Sequence, residues 1–302
     1  MRKLSPVFKA RVWGGDYIAR HMLGAPGNEP IGEAWLVSDH PSGPTLDDRG
    51  RTLGELAPRR PWFPVMIKLL HAQADLSVQV HPNDEQAKAV HDLGKAEGWL
   101  ILSAEPGARI CHGHRAEDAA QLRDALHSGD ARRLLRYTEV QPGEYYPVPP
   151  GTVHALGAGI VALEVQESSD TTYRLYDYDR PGQDGKPRDL HIEQGLAVTA
   201  FPQPRSAAHK LSVRVGQEAL CEANEYFRFS VLEVDGGATV VAGRGEAVCL
   251  ISLADGVGPG GGSAGARQEP RAFDAFVLEP GEAASVGGSG PLALIRVALG
   301  EQ

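Results

Sequence analysis

The sequence predicts a mainly β protein, an all-β sandwich or barrel, on two observations. Short apolar runs bounded by turn residues recur along the whole chain, at 34–37, 65–70, 76–80, 99–102, 145–148, 161–165, 229–234, 247–253, 275–278 and 292–297. Glycine (36) and proline (22) punctuate them and leave little room for long helices. Helical periodicity is confined to a small insertion. One stretch opens at Asn83, a side chain suited to capping the first turn, and runs to about 93. A second, of one or two amphipathic helices over 116–135, carries Leu122, Leu126, Leu134 and Leu135 as its apolar positions.

The 302 residues suffice for one large domain or two modest ones. Phe201-Pro202-Gln203-Pro204 marks the boundary between a first unit, 1–200, rich in His, Asp and aromatic residues, and a strand-like second unit, 201–302. No run of about 18 apolar residues exists, so no membrane association is expected. The N-terminal residues lack the pattern of a secretory signal. Cys111, Cys221 and Cys249 lie far apart without a CxxC pair, which favours a reducing, cytoplasmic setting. A net charge of −9 and the absence of a basic stripe argue against a nucleic-acid partner. An anionic small molecule remains compatible with that charge, because a local basic pocket can override the global sign. The Gly/Ser/Ala-rich stretch 256–265 lacks the Lys-Ser/Thr ending of a phosphate-binding loop, so a surface loop is expected there.

The chemistry concentrates in a few segments. In Leu76-Ser77-Val78-Gln79-Val80-His81-Pro82 a strand would put Ser77, Gln79 and His81 on one face and the apolar residues on the other. Such a strand is either solvent-exposed or the wall of a polar cavity. Lys95 and Glu97 share one face of a second candidate strand, and Pro149-Pro150-Gly151-Thr152-Val153-His154 is a strand end, a turn and a histidine. Two histidines and a carboxylate beside turns are what a mononuclear site needs, and imidazole with carboxylate suits a borderline divalent ion such as zinc. The Gln79 amide oxygen can serve as a fourth ligand. His112-Gly113-His114 is a competing metal pair, but its nearest acids fall in the predicted helix, and both are read as structural.

Gln-Val-His-Pro at 79–82, Gly-Lys-Ala-Glu at 94–97, Pro-Pro-Gly-Thr-Val-His-Ala at 149–155 and the run Glu164 to Arg180 resemble, in this order, the short bacterial form of type I phosphomannose isomerase, a cupin family. Trp13-Gly14-Gly15 and Gly32-Glu33-Ala34-Trp35 resemble it too, and the likeness spans roughly 12–198. It implies cupin-type jelly rolls, with the metal site in the first unit and none in the second. It implies one divalent metal ion, expected to be zinc, held by Gln79, His81, Glu97 and His154. Lys95, Glu164 and Arg174 are implied as catalytic residues, and Trp13, Lys68 and Ser77 as substrate-binding residues. One departure is Gly98, where the short form usually carries Cys. The side chain after Glu97 points away from the metal face, so little effect is expected.

The implied reaction interconverts mannose-6-phosphate and fructose-6-phosphate through an enediol. It needs a cation to polarise the carbonyl and a base to move a proton between C1 and C2. Lys95 with a pKa lowered by the nearby metal, Glu164 and a metal-linked water are the candidate bases. Arg174 offers a planar fork to phosphate or enediolate oxygens; the alternative is a buried pair with Asp170 or Asp177. A catalytically silent sugar- or metal-binding cupin with a regulatory role, and a cupin oxygenase, are the competing readings. The intact ligand set weighs against the first, and the 164–180 segment with its Gln ligand against the second.

Overall fold

The computed structural model describes residues 1–182, 184–203, 208–260 and 269–299. The protein is mainly β, as the turn spacing predicts, and three antiparallel sheets carry the architecture. Each predicted apolar run lies wholly or largely within a strand. A seven-stranded sheet has the order His209–Lys210, Glu144–Val148, Glu97–Ala104, Ile160–Glu167, Val65–Ala72, Ile31–Val37, Val7–Gly15. A five-stranded sheet has the order Tyr173–Tyr176, Val78–Val80, His154–Ala155, Arg109–His114, Leu135–Glu139. The third sheet is built around the long antiparallel pair Arg228–Val241 and Ala283–Ala298. The N-terminal strand Arg2–Ser5 and Leu46–Asp47 join this third sheet, while His209–Lys210 joins the seven-stranded one.

The seven-stranded sheet is the central layer, and side-chain alternation divides its two faces. Val65, Ile67, Leu69, Leu100, Leu163 and Val165 pack with Phe229, Cys249, Val277 and Ile295 of the third sheet in one core. From the opposite face Leu70, Trp99, Ile101 and Ala162 pack with Ile110 of the five-stranded sheet. The outer face of that sheet is covered in turn. Val78, Val80, Cys111 and Ala155 contact Leu122, Leu134 and Leu196 from the helices Ala119–His127, Ala131–Leu134 and Ile192–Val198. The order of layers is therefore third sheet, central sheet, five-stranded sheet, helices.

The helical insertion is shorter than its periodicity suggests. Asn83 forms a full capping box with Gln86, but the helix covers only Asp84–Ala87, followed by a tight turn at Lys88–Val90. His91 then adopts a left-handed backbone (φ 58°), which stops propagation and redirects the chain. The second stretch begins after the Asp118 cap and splits at Gly129, with Leu135 already in a strand. Part of the glycine-rich stretch is ordered: Gly258–Pro259 pairs with Gly287 and Val286. The remainder of that loop, 261–265, lies outside the described residues, as does Pro204 of the 201–204 boundary. The three cysteines are buried and free. No helix among the described residues is long and apolar enough to cross a membrane.

Candidate metal and substrate site

The site lies between the central and five-stranded sheets, and register brings its residues together. On the central sheet Glu164 stands between Lys68 and Trp99, its partners on the two flanking strands. Glu97 shares the face of Trp99, two residues along the same strand. On the facing sheet Gln79 stands between His154 and Arg174. His81 follows the Gln79 strand on the same face, and Lys95 precedes the Glu97 strand.

His81, Glu97 and His154 are buried and converge so that one ligand atom of each lies within 4.8 Å of the others. His154 Nε2 is 3.1 Å from Glu97 Oε1, and His81 Nε2 is 3.6 Å from Glu97 Oε2. The Nδ1 atoms of both rings face backbone carbonyls, Thr171 O for His81 and Thr152 O for His154, each at 2.8 Å. A carbonyl only accepts, so Nδ1 carries a proton in each ring and Nε2 is turned inward. Burial, reinforced by Lys95, holds the His81 pKa well below its ordinary value, so that ring is neutral and presents a lone pair. Both Glu97 oxygens are buried with no well-directed hydrogen bond to either, although the Lys95 ammonium stands 3.1 Å from Oε2. Imidazole lone pairs turned toward this buried carboxylate still repel it. A divalent cation bonded to these atoms would remove that repulsion, so the residues fit a metal. The Gln79 amide nitrogen lies 3.3 Å from His154 Nε2; a half-turn of the amide would put its oxygen there.

Lys95 Nζ is 3.1 Å from Glu97 Oε2 and 3.3 Å from His81 Nε2. Burial opposes its charge, but Glu97, Glu164 and Asp170 together outweigh burial and raise its pKa. The expected lowering rests on a bound metal; the chain's own charges act in the opposite direction. Glu164 is oriented by Lys68 Nζ at 3.1 Å and by the Trp99 indole N–H at 2.9 Å. Trp99 also packs edge-on against His154, with ring centroids 5.4 Å apart. Its role was legible only as the next inward position after Glu97.

A cavity of about 390 Å³ adjoins these groups and is lined in part by Trp13, Lys68, Ser77, Gln79, Lys95, Glu164 and Arg174. Trp13 is seated against Gly32, where a Cβ would lie 2.6 Å from the indole ring, so the two glycine-containing motifs meet in space. The cavity has five basic and three acidic lining side chains, a local balance opposite to that of the whole chain. Arg11, Glu33, Asp170, Thr172 and Arg188 line it as well, and the sequence reading placed none of them in the pocket. Glu33 accepts from Arg11 Nε and Nη2 at 2.8 and 3.1 Å and from the Trp35 indole at 2.7 Å. Burial raises its pKa, but Lys68 and Arg11 prevail and bring it down to about 2.

Arg174 pairs with neither Asp170 nor Asp177. Asp177 is occupied by Arg180 and Arg188, at 2.8 and 2.6 Å. Arg174 Nη1 donates to the Asp189 carbonyl at 2.9 Å, and its buried Nε has no partner. His112 and His114 bond the Pro147 and Ala200 carbonyls and are structural, as read. Gly98 faces away from the metal cluster, yet its position is constrained. A Cβ there would overlap the Tyr145 hydroxyl, which hydrogen-bonds Glu222 of the third sheet.

The pattern "Phosphomannose isomerase type I, catalytic domain" matches residues 1–98. Mannose-6-phosphate isomerase ManA of Bacillus subtilis is 38% identical over 272 residues, covering 84% of this chain and 85% of that protein. A mannose-6-phosphate isomerase of Streptococcus mutans is 40% identical over 211 residues, covering 65% of this chain and 67% of that one. The crystal structure of the mannose 6-phosphate isomerase from Bacillus subtilis superposes with a TM-score of 0.86 at 30% identity, covering 97% of this chain and 98% of that chain.

Proposed function

The chain belongs to the type I phosphomannose isomerases, and from that premise we propose that it interconverts mannose-6-phosphate and fructose-6-phosphate in the cavity beside the His81–Glu97–His154 cluster. The observation that carries the reading is the convergence of His81, Glu97 and His154, a buried carboxylate faced by two imidazole Nε2 atoms. Gln79, His81, Glu97 and His154 would hold one divalent metal ion. Zinc is the proposed metal because the donors are two imidazoles and a carboxylate. Bound there, the cation supplies Lewis-acid polarisation of sugar oxygens.

The chain's own residues supply the rest. Glu164, held by Lys68 and Trp99, is the proposed base that would accept the proton from C2 of the aldose and return it to C1 of the enediol. In the same conversion one hydroxyl proton passes from O2 to O1. The Lys95 ammonium is the group suited to donating to those oxygens as charge develops on them. Arg174, with an unpartnered Nε and with Arg188 beside it in the cavity lining, suits the phosphate or the enediolate. Trp13 and Ser77 complete the walls around the sugar. The three free buried cysteines support a cytoplasmic location.

The test is direct. Metal-stripped protein is given zinc and mannose-6-phosphate, and fructose-6-phosphate is measured by a coupled assay. Product that requires the metal supports the reading. A zinc-loaded protein that forms none overturns it in favour of a silent cupin.

A further inference from the structure

We propose that Asp92 is a positioning residue of the metal site: through the hydroxyl and main chain of Thr171 its carboxylate fixes the carbonyl that receives the His81 Nδ1 proton. This rests on the reading of His81 as a metal ligand.

Asp92 is delivered by the left-handed turn at His91 that ends the short helix. Its Oδ2 accepts from Thr171 Oγ1 at 2.6 Å, Ser169 Oγ at 3.0 Å and the Asp170 N–H at 3.3 Å. Its Oδ1 accepts from the Leu93 N–H at 2.8 Å and faces His40 Nε2 at 3.8 Å. One carboxylate thus gathers three consecutive residues, 169–171, of the loop that spans the mouth between the two sheets. Thr171 turns its carbonyl to His81 Nδ1 at 2.8 Å. The neighbours Asp170 and Thr172 line the cavity. Ring orientation at a histidine ligand is set by what its other nitrogen donates to. For His154 that acceptor is Thr152, two residues away and local. For His81 the acceptor lies 90 residues on in a loop, so it needs a tether of its own. A neutral amide at position 92 would present N–H groups toward one set of these donors and could not replace the carboxylate.

The test measures zinc affinity by chelator competition on purified full-length protein, with the melting temperature of the metal-free form recorded beside it. Asp92→Asn and Thr171→Val should each weaken zinc by about tenfold to a hundredfold. Thr171→Ser, which keeps the hydroxyl, should bind as the parent does. The double variant should lose no more than the worse single, because both act through one chain of contacts. Unaltered zinc affinity in Asp92→Asn and Thr171→Val, with or without a lower melting temperature, overturns the proposal while His81→Ala still loses zinc. Should His81→Ala bind zinc as tightly as the parent, the metal reading itself falls.

Discussion

His81 Nε2 and Glu97 Oε2 face each other across 3.6 Å as two acceptors. The ring proton of His81 is on Nδ1, committed to the Thr171 carbonyl, and burial together with Lys95 keeps the ring neutral. The Lys95 ammonium stands against both atoms, at 3.3 and 3.1 Å, and a divalent cation bonded to the two inward lone pairs would satisfy them directly. The metal predictions follow from that pair. His81→Ala and His154→Ala should lose metal and activity together. Glu97→Gln keeps the size of the side chain but removes its charge, so metal affinity should fall while the fold survives. Metal content by atomic absorption and circular dichroism on the same preparation check this; full occupancy in all three variants refutes the ligand set.

Acid sensitivity should trace in part to Glu33. Its folded pKa of about 2 lies below the ordinary 4.5 because Lys68 and Arg11 overcome the effect of burial. A depressed carboxylate contributes stability that is full above about pH 4.5 and fades as pH falls towards 2. Between pH 7 and pH 3.5 this amounts to roughly 1–1.5 kcal/mol of lost stability. Urea unfolding at the two pH values should show a shallower pH dependence for Glu33→Gln by that amount. Parallel curves for parent and variant would remove Glu33 from the account.

Arg174→Lys should bind metal normally and isomerise poorly. Lysine keeps the charge but loses the fork, and one such charge-assisted contact in a closed site is worth about 2–4 kcal/mol, roughly two to three orders of magnitude in rate. A loss in kcat assigns Arg174 to the enediolate, and a loss in KM alone assigns it to the phosphate. A lower melting temperature with unaltered activity per folded molecule would make it a structural residue.

Gly98→Ala should destabilise the protein although the site is on the other face of the strand. The added methyl overlaps the Tyr145 hydroxyl, and overpacking of this kind costs about 1–3 kcal/mol. In a Tyr145→Leu background the same substitution should cost markedly less, since the two residues are in contact. Equal costs in both backgrounds, by denaturant unfolding, would show that Tyr145 is not the obstacle. The expectation for position 98 concerned the metal face, which Gly98 does point away from; its steric constraint lies elsewhere. Pointing away from the metal means pointing into the core shared with the third sheet, and Tyr145 and Glu222 are remote in sequence.

The sequence by itself determined which side chains share a face. Period-two alternation grouped Ser77, Gln79 and His81, and separately Lys95 and Glu97, because successive residues of an extended chain point oppositely. Apolar runs between turn residues determined that the fold is mainly β. Only the tertiary structure decided which face looks inward. In the Gln79 strand the polar face points into the sandwich and Val78 and Val80 point outward, because helices cover the outer side and supply the second apolar layer. Local alternation is symmetric between those two outcomes. The tertiary structure likewise set the chain's own share of the Lys95 electrostatics, which depends on Glu164 and Asp170 being brought beside Glu97 around one buried amine. It also decided the tether from Asp92 to Thr171. Charge sums and loop contacts across 69 to 79 residues are set by how the sheets stack, and no local pattern of residues encodes them.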